Sequence, residues 1–99
     1  MFNCFATSNN VQIKTSFERH PCTIVITPIQ AYELVLGGTG TVIDRVRIHT
    51  FETVFYDQLM IDGDGLFVVP SIGVVLNGYQ TDQVYDACAE LTKRIVDSF

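Results

Sequence analysis

The stretch TPIQAYELVLGG (residues 27–38) marks both ends of a helix inside a chain that is otherwise rich in strand patterns. Thr27 fits an N-cap and Pro28 fits the first helical position, while Gln30 completes a capping box with Thr27. Gly37 is placed to end the helix in a left-handed conformation. The stretch therefore predicts a short helix that interrupts a series of strands.

The predicted helix, over about residues 28–36, is amphipathic. Ile29, Tyr32, Leu36 and also Val35 lie near one helical face. We expect this helix to cover part of a sheet formed by the flanking strands.

Strand patterns precede this helix. NVQIKTSFE (residues 10–18) alternates between apolar and polar side chains, which is typical of a half-buried strand. FNCFA (residues 2–6) could pair with it across the turn at residues 8–10. CTIVIT (residues 22–27) is a β-branched run and predicts a central strand.

More strand patterns follow the helix. TVIDRVRIHTFETVFYDQLMI (residues 41–61) reads as two strands, with Val42, Val46 and Ile48 on one face of the first. The apolar phase shifts near residues 49–50, which indicates a bend, a bulge or a turn. LFVVP and IGVVL then predict two short strands, with a proline breaking the run between them.

The end of the chain, TDQVYDACAELTKRIVDSF, predicts a second, longer helix. Its apolar residues recur with helical spacing: Val84, Ala87, Cys88, Leu91, Ile95 and Phe99. We expect an amphipathic helix over about residues 82–97, with Thr81 as a plausible cap.

These elements predict a single α+β domain over residues 1–99. Strands joined by short connections pair antiparallel, so the sheet should be mainly antiparallel, with both helices packed on it. The order of the strands stays open, because one sequence does not determine which strands are neighbours.

Composition narrows the possible partners. The chain has 99 residues and a net charge of −5, and its charged fraction of 17% is below the usual value of about 25%. The acidic balance argues against direct binding to nucleic acid or to an anionic membrane, and it permits docking on a basic protein surface. Because few charges cover the surface, part of the apolar surface is expected to meet a partner or a second copy, as in a homodimer.

Cysteine usage and the first residues predict a cytoplasmic setting, in the producing cell or in an infected host cell. Cys4, Cys22 and Cys88 are an odd number at unrelated spacings, and the first ten residues lack the pattern of a signal peptide. We therefore expect free thiols. The sequence has no close pair of metal ligands, no cofactor motif and no nucleophile–base signature. We therefore predict no metal site, no cofactor and no enzymatic activity.

MIDGDGLFVVP (residues 60–70) places two aspartates between apolar runs. The stretch does not fit a calcium-binding EF-hand loop. In a loop that starts at Asp62, Leu66 and Gly73 occupy the fifth and twelfth positions, where calcium ligands are needed. Asp-Gly between two strands is instead a strong hairpin signal. Asp62 and Asp64 are then expected to be charges that project from a turn.

The second predicted helix carries an acidic stripe. Asp82, Asp86 and Glu90 are spaced i, i+4, i+8 on its outer face. One interpretation is structural, since early acids suit the helix dipole and Glu90 can pair with Arg94. The other is a partner-binding surface that also includes the two turn aspartates and meets a basic partner.

Three basic side chains form an alternative site. Arg45, Arg47 and His49 are spaced i, i+2, i+4, so a regular strand would place them on one face. They could bind an anion or a carboxylate, since arginine recognises both in a bidentate way. They could equally form a solvated face that is paired with Glu18 or Asp57 across the sheet.

Three functions are therefore open. The first is a non-enzymatic interaction module, an acidic inhibitor or adaptor that binds a larger protein through an acidic surface or an exposed strand edge. Compact phage proteins directed against host defences, anti-CRISPR proteins among them, share this size and charge. The second is a small anion-binding protein or enzyme that uses the arginine–histidine face. The third is a self-assembling structural subunit.

Overall fold

The computed structural model describes all 99 residues as one seven-stranded sheet and two helices, which confirms the predicted α+β class. The strands are β1 (Asn3–Ala6), β2 (Val11–Phe17), β3 (His20–Ile26), β4 (Val42–Thr50), β5 (Val54–Ile61), β6 (Phe67–Val69) and β7 (Val74–Val75). The helices are α1 (Pro28–Gly37) and α2 (Gly78–Asp97), and a single 3-10 turn (Pro70–Ile72) separates β6 from β7.

The sheet is an antiparallel meander. Each strand pairs with its neighbours along the chain, in the order β1-β2-β3-β4-β5-β6-β7. All of the connections except that between β3 and β4 are short, and that connection contains α1. Strands that follow one another along the chain become neighbours in the sheet, because consecutive antiparallel strands need only a turn between them.

The core lies on the inner face of the curled sheet. β2 to β6 each contribute alternate apolar side chains to it, and α2 lies across this face. The largest fully buried side chains come from both layers: Phe67, Ile13, Ile24, Ile26, Leu34, Ile43, Ile48, Leu59, Ile61, Leu76, Leu91 and Val11. The curl lets one helix close a core that a flat sheet of seven strands would leave open.

The start of α1 is as predicted. The Thr27 hydroxyl accepts the Gln30 N–H at 3.2 Å, and the Gln30 side chain accepts the Thr27 N–H at 3.0 Å. The end is one residue later than predicted. Gly37 is the last helical residue, where a side chain would collide with Thr41, and the positive φ of 65° belongs to Gly38.

The predicted apolar face of α1 is exposed. The residues that α1 buries are Ala31 and Leu34, whereas Ile29 is 73% exposed and Leu36 is 72% exposed. The prediction was wrong because it followed the larger apolar side chains. α1 packs closely on α2, and this contact favours a smaller residue at position 31.

The start of α2 also differs from the prediction. Asn77 is the cap: its side chain accepts the Gln80 N–H at 2.8 Å, and the Gln80 side chain accepts the Asn77 N–H at 3.1 Å. Thr81 lies inside the helix and is buried, and its hydroxyl accepts the Phe67 N–H from β6 at 3.1 Å. Thr81 therefore joins the helix to the sheet and does not cap the helix.

A bulge in β4 changes which side chains share a face. The pairing with β5 shifts between Ile43 and Val46, and Arg45 adopts a positive φ of 59°. Ile43 consequently takes the inner position that was predicted for Val42, and Val42 is exposed. The phase shift predicted near residues 49–50 corresponds to the turn after β4, which the Thr50 N–H closes on the carbonyl of Thr53 at 2.9 Å.

The link between Thr81 and β6 gives a stability prediction. We expect Thr81→Val to destabilise the protein by about 1–3 kcal/mol, because the buried N–H of Phe67 loses its only acceptor while the shape of the side chain is kept. Urea unfolding at neutral pH measures the difference.

Thr92→Val is the matched control. The Thr92 hydroxyl only bonds back to the carbonyl of Cys88 within α2, so this substitution should change the stability by less than about 0.5 kcal/mol. Equal losses in the two variants would contradict the role given to Thr81.

Candidate interaction surface

The acidic stripe predicted on the second helix is present on α2. Asp82, Asp86 and Glu90 are all exposed, on the side of α2 away from the buried Val84 and Leu91. Both ends of the 20-residue helix are anchored, so the three carboxylates are presented by a rigid element.

The three carboxylates differ in their partners. Glu90 pairs with Arg94 at 2.5 Å, and Arg94 also donates to the carbonyl of Thr7 in the β1–β2 turn at 3.1 Å. This is the only ion pair in the protein, so Asp82 and Asp86 carry charges that no basic group compensates. The predicted pairing of Glu90 with Arg94 is confirmed, and it leaves the first two acids as the stronger attraction for a cation.

The two turn aspartates have different environments. The Asp62 carboxylate accepts the N–H groups of Asp64 and Leu66 at 2.9 and 3.0 Å, so it stabilises its own hairpin turn. The positive φ that the turn needs belongs to Gly65. The predicted hairpin between β5 and β6 is confirmed. Of the two charges that were expected to project from it, Asp64 is exposed and Asp62 is partly buried in the turn.

A groove lies between the free edge of β1 and α2. Its volume is about 470 Å³. One wall is Cys4–Ala6 in β1, and the other is formed by residues of α2, namely Gln83, Asp86, Ala87, Glu90 and Arg94. Two acids of the stripe thus border this groove, whereas Asp82 lies outside it.

A second groove lies where the curled sheet fails to close. Its volume is about 550 Å³. One wall is formed by the start of β1 and the end of β2, and the other by residues 72–76 around β7. The lining is mixed: Phe2, Phe17, Ile72 and Val74 contribute apolar side chains, and polar groups supply much of the accessible surface. Neither edge of the sheet was identified as a site from the sequence, since edges are known only once the strand order is known.

The predicted basic face is only partly assembled. Arg47 and His49 lie on the outer face of the sheet, but the bulge takes Arg45 out of the regular alternation. Lys14 joins the face instead, because Thr23 pairs with Lys14 on one side and with His49 on the other. Lys14 was missed because cross-strand register does not follow from sequence.

The partners that were considered for this face do not pair with it. Neither Glu18 nor Asp57 forms an ion pair with Arg47, whose neighbour on β5 is Tyr56. The side chain of Ser71 and the N–H of Gln58 lower the pKa of Asp57, which therefore stays ionised without an arginine.

His49 has an unusual environment. Its Nε2 atom is buried and has no hydrogen-bond partner. A depression of about 230 Å³ lies beside it, lined by Gln12, Lys14, Thr23, Val25 and His49. This is the only buried side-chain nitrogen or oxygen in the protein without a partner.

The three thiols are free, and their pKa values favour the protonated form. Burial raises the pKa of Cys4 to about 11. Burial, with a smaller contribution from Cys4, raises the pKa of Cys88 to about 12, and burial also raises the pKa of Cys22. At neutral pH these thiols are therefore poor nucleophiles. The structure brings together no group of three or more His, Cys, Asp or Glu side chains that could hold a metal ion.

Exposed apolar side chains form a stripe on α1. Ile29, Tyr32, Val35 and Leu36 face solvent, and the only charged residue of α1 is Glu33. This stripe is a surface on which two copies could meet without the repulsion between like charges that α2 would impose.

Neither helix is both long enough and apolar enough to cross a membrane. Comparison with known proteins found no match: no protein-family model, no curated protein and no solved structure matches the chain.

Proposed function

We propose that this protein is a non-enzymatic interaction module that binds a larger protein with a basic surface and inhibits or adapts it. The observation that carries the proposal is the pair of uncompensated carboxylates, Asp82 and Asp86, on the exposed face of a rigid helix. Glu90 and the turn aspartates Asp62 and Asp64 are the other acidic residues that we assign to partner binding. No metal or cofactor is needed for this role.

The distribution of charge supports a protein partner. The basic side chains Lys14 and Arg47 lie on the outer face of the sheet, whereas α2 lies across the inner face. The protein thus presents an acidic side to a basic partner, and its net charge of −5 increases the rate of such an encounter while it opposes binding to nucleic acid or to an anionic membrane.

The setting that we propose is the cytoplasm of the producing cell or of an infected host cell. Three free thiols suit a reducing compartment. A phage-encoded inhibitor of a host defence, of which anti-CRISPR proteins are one type, is the example that best fits a small acidic binding domain.

Affinity capture with charge variants tests the acidic surface. The wild-type protein, immobilised and exposed to lysate of the source cell or of its host, should retain a stoichiometric protein that salt releases. The double variant Asp82→Lys with Asp86→Lys should weaken retention at least about tenfold, because two attractions become repulsions.

Glu33→Lys is the control for this experiment, since it makes the same acid-to-lysine reversal, at one position instead of two, on the exposed side of α1. All variants should melt within a few degrees of the wild type. If the captured protein binds the double variant as tightly as the wild type, the acidic surface is not the binding site.

A second candidate function is recognition of a small anion at the outer face. The specific observation is the partnerless Nε2 of His49 in the depression beside Lys14, with Arg47 on the same face. A phosphate or a carboxylate in the depression could pair with the two cations, and it could accept a hydrogen bond from Nε2 once the imidazole turns this buried atom toward it.

Thermal melting in inorganic phosphate tests the anion site. Millimolar phosphate should raise the melting temperature at constant ionic strength, and Lys14→Gln with Arg47→Gln should abolish the rise. Lys93→Gln on α2, which removes a cation elsewhere, should preserve it. A rise that persists in the double variant would exclude this face.

Self-association is the third candidate, as a homodimer or as a larger structural assembly. The α1 stripe supports it, because four neighbouring apolar side chains are exposed there. A dimer should have about twice the 11.1 kDa mass of the chain in light scattering, and Leu36→Glu should return it to the monomer by placing a charge in the contact.

Val96→Glu is the matched control, since Val96 is also exposed but lies on α2 away from the stripe. A wild-type protein that stays monomeric at about 0.5 mM, where an association with a Kd near 1 mM would be visible, would argue against the dimer. A large, regular assembly would favour the structural subunit.

A further inference from the structure

The free edge of β1 carries unpaired backbone groups. The Thr7 N–H donates to the carbonyl of Asn10 at 2.8 Å, so residues 7 and 10 form a hydrogen-bonded pair. Antiparallel pairs alternate, and Phe5 opposite Gln12 is therefore the next hydrogen-bonded pair. The N–H and C=O groups of Cys4 and Ala6 consequently point away from β2, and none of them has a partner in the protein.

The two grooves adjoin along this edge. The second groove includes Phe2 and Gln80, and the groove between β1 and α2 continues from it with Cys4 and Gln83. The wall formed by residues 1–6 and the wall formed by residues 80–94 of α2 are both about 20 Å long. This length accommodates an extended segment of about six residues.

The two ends of this channel differ in chemistry. Near the end of β1, the wall of α2 contributes Asp86, Glu90 and Arg94, and because Arg94 pairs with Glu90, Asp86 is the uncompensated charge. Near the start of β1, the lining is mixed, with the apolar side chains of Phe2, Ile72 and Val74 beside polar groups of β2 and α2. Side chains of an added strand point alternately to the two faces of the sheet, so every second residue would face these walls.

We propose that the channel binds an extended segment of the partner protein, which adds as an eighth strand to the free edge of β1. The segment carries a lysine or an arginine that meets Asp86 beside the Glu90–Arg94 pair, and an apolar side chain that enters the opening beside β7. This inference rests on the proposed function and deepens it, because it states how the partner is bound.

The charges disfavour a second copy as the occupant. Two-fold pairing of β1 with β1 of another molecule would bring the α2 helices of both molecules to the same channel. Asp86 and Glu90 would then face the same two acids of the other copy. The two Arg94 side chains would compensate the two Glu90 carboxylates, and the two Asp86 carboxylates would repel each other without a compensating cation. A basic segment meets no such repulsion.

The probes are two seven-residue peptides with uncharged, blocked termini. In one peptide, lysines near the N-terminus and valines near the C-terminus alternate with threonines, and the other peptide has the reversed sequence. One direction should bind saturably with a Kd below about 1 mM. Amide exchange of Cys4 and Ala6 should slow on binding, because their N–H groups gain acceptors. A control peptide in which every backbone amide nitrogen is methylated keeps the charges but lacks the donors, whichever residues face β1, and it should not bind.

Three variants locate the site. Ala6→Pro removes an outward donor without removing a bond to β2, and it should weaken binding about five- to tenfold. Asp86→Lys should weaken binding at least as much, whereas Glu33→Lys on α1 should leave it unchanged. Melting temperatures show whether each variant is folded, and Asp86→Lys tests the site independently if Ala6→Pro is unfolded.

The outcomes separate this inference from the proposed function. Equal binding of the N-methylated peptide, or unchanged exchange at Cys4 and Ala6, overturns strand addition even if a partner is captured through the acidic surface. Strand addition is also overturned if neither of the two lysine–valine peptides binds. Peptide binding that depends on Ala6 and Asp86 supports the channel, even if affinity capture finds no partner and the proposed function fails.

Discussion

The structure depends on the packing of α2 against a sheet that has only one buried face. The inner face of the seven strands is almost entirely apolar, so it needs a cover that extends from β6 to β1. Two side chains fix the ends of this cover: Thr81 accepts a backbone N–H from β6, and Arg94 donates to the β1–β2 turn. The curl of the sheet makes a single helix sufficient.

This arrangement also determines which parts of the protein stay available to a partner. β7 has two residues and β1 has four, so the curled sheet ends in two short edges that do not meet. α2 lies beside this opening. Its inner face packs in the core, so its outer face meets solvent and is polar. An acidic helix face and an unpaired strand edge are therefore neighbours, and the candidate partner surface follows from the way the core is closed.

The elements with strong local signals were predictable, whereas the contacts between elements were not. The capping box of α1 and the hairpin around Asp62 depend on groups within a few residues of one another. The bulge at Arg45 and the inward side of α1 depend on distant chain segments. For the candidate site, the acidic stripe on α2 was predictable from its helical spacing. The association of Lys14 with His49 was not, because it requires the register of three strands.

The sequence by itself determined the α+β class, the two helices, the local turns and the acidic stripe, since each rests on periodicity or on hydrogen bonds between near neighbours. The tertiary structure decided the strand order, the free edge of β1 and the exposure of the apolar stripe on α1. It also decided that Thr81 joins α2 to β6. These features depend on which surfaces compete for burial, and that competition is settled only when all of the elements pack around one core.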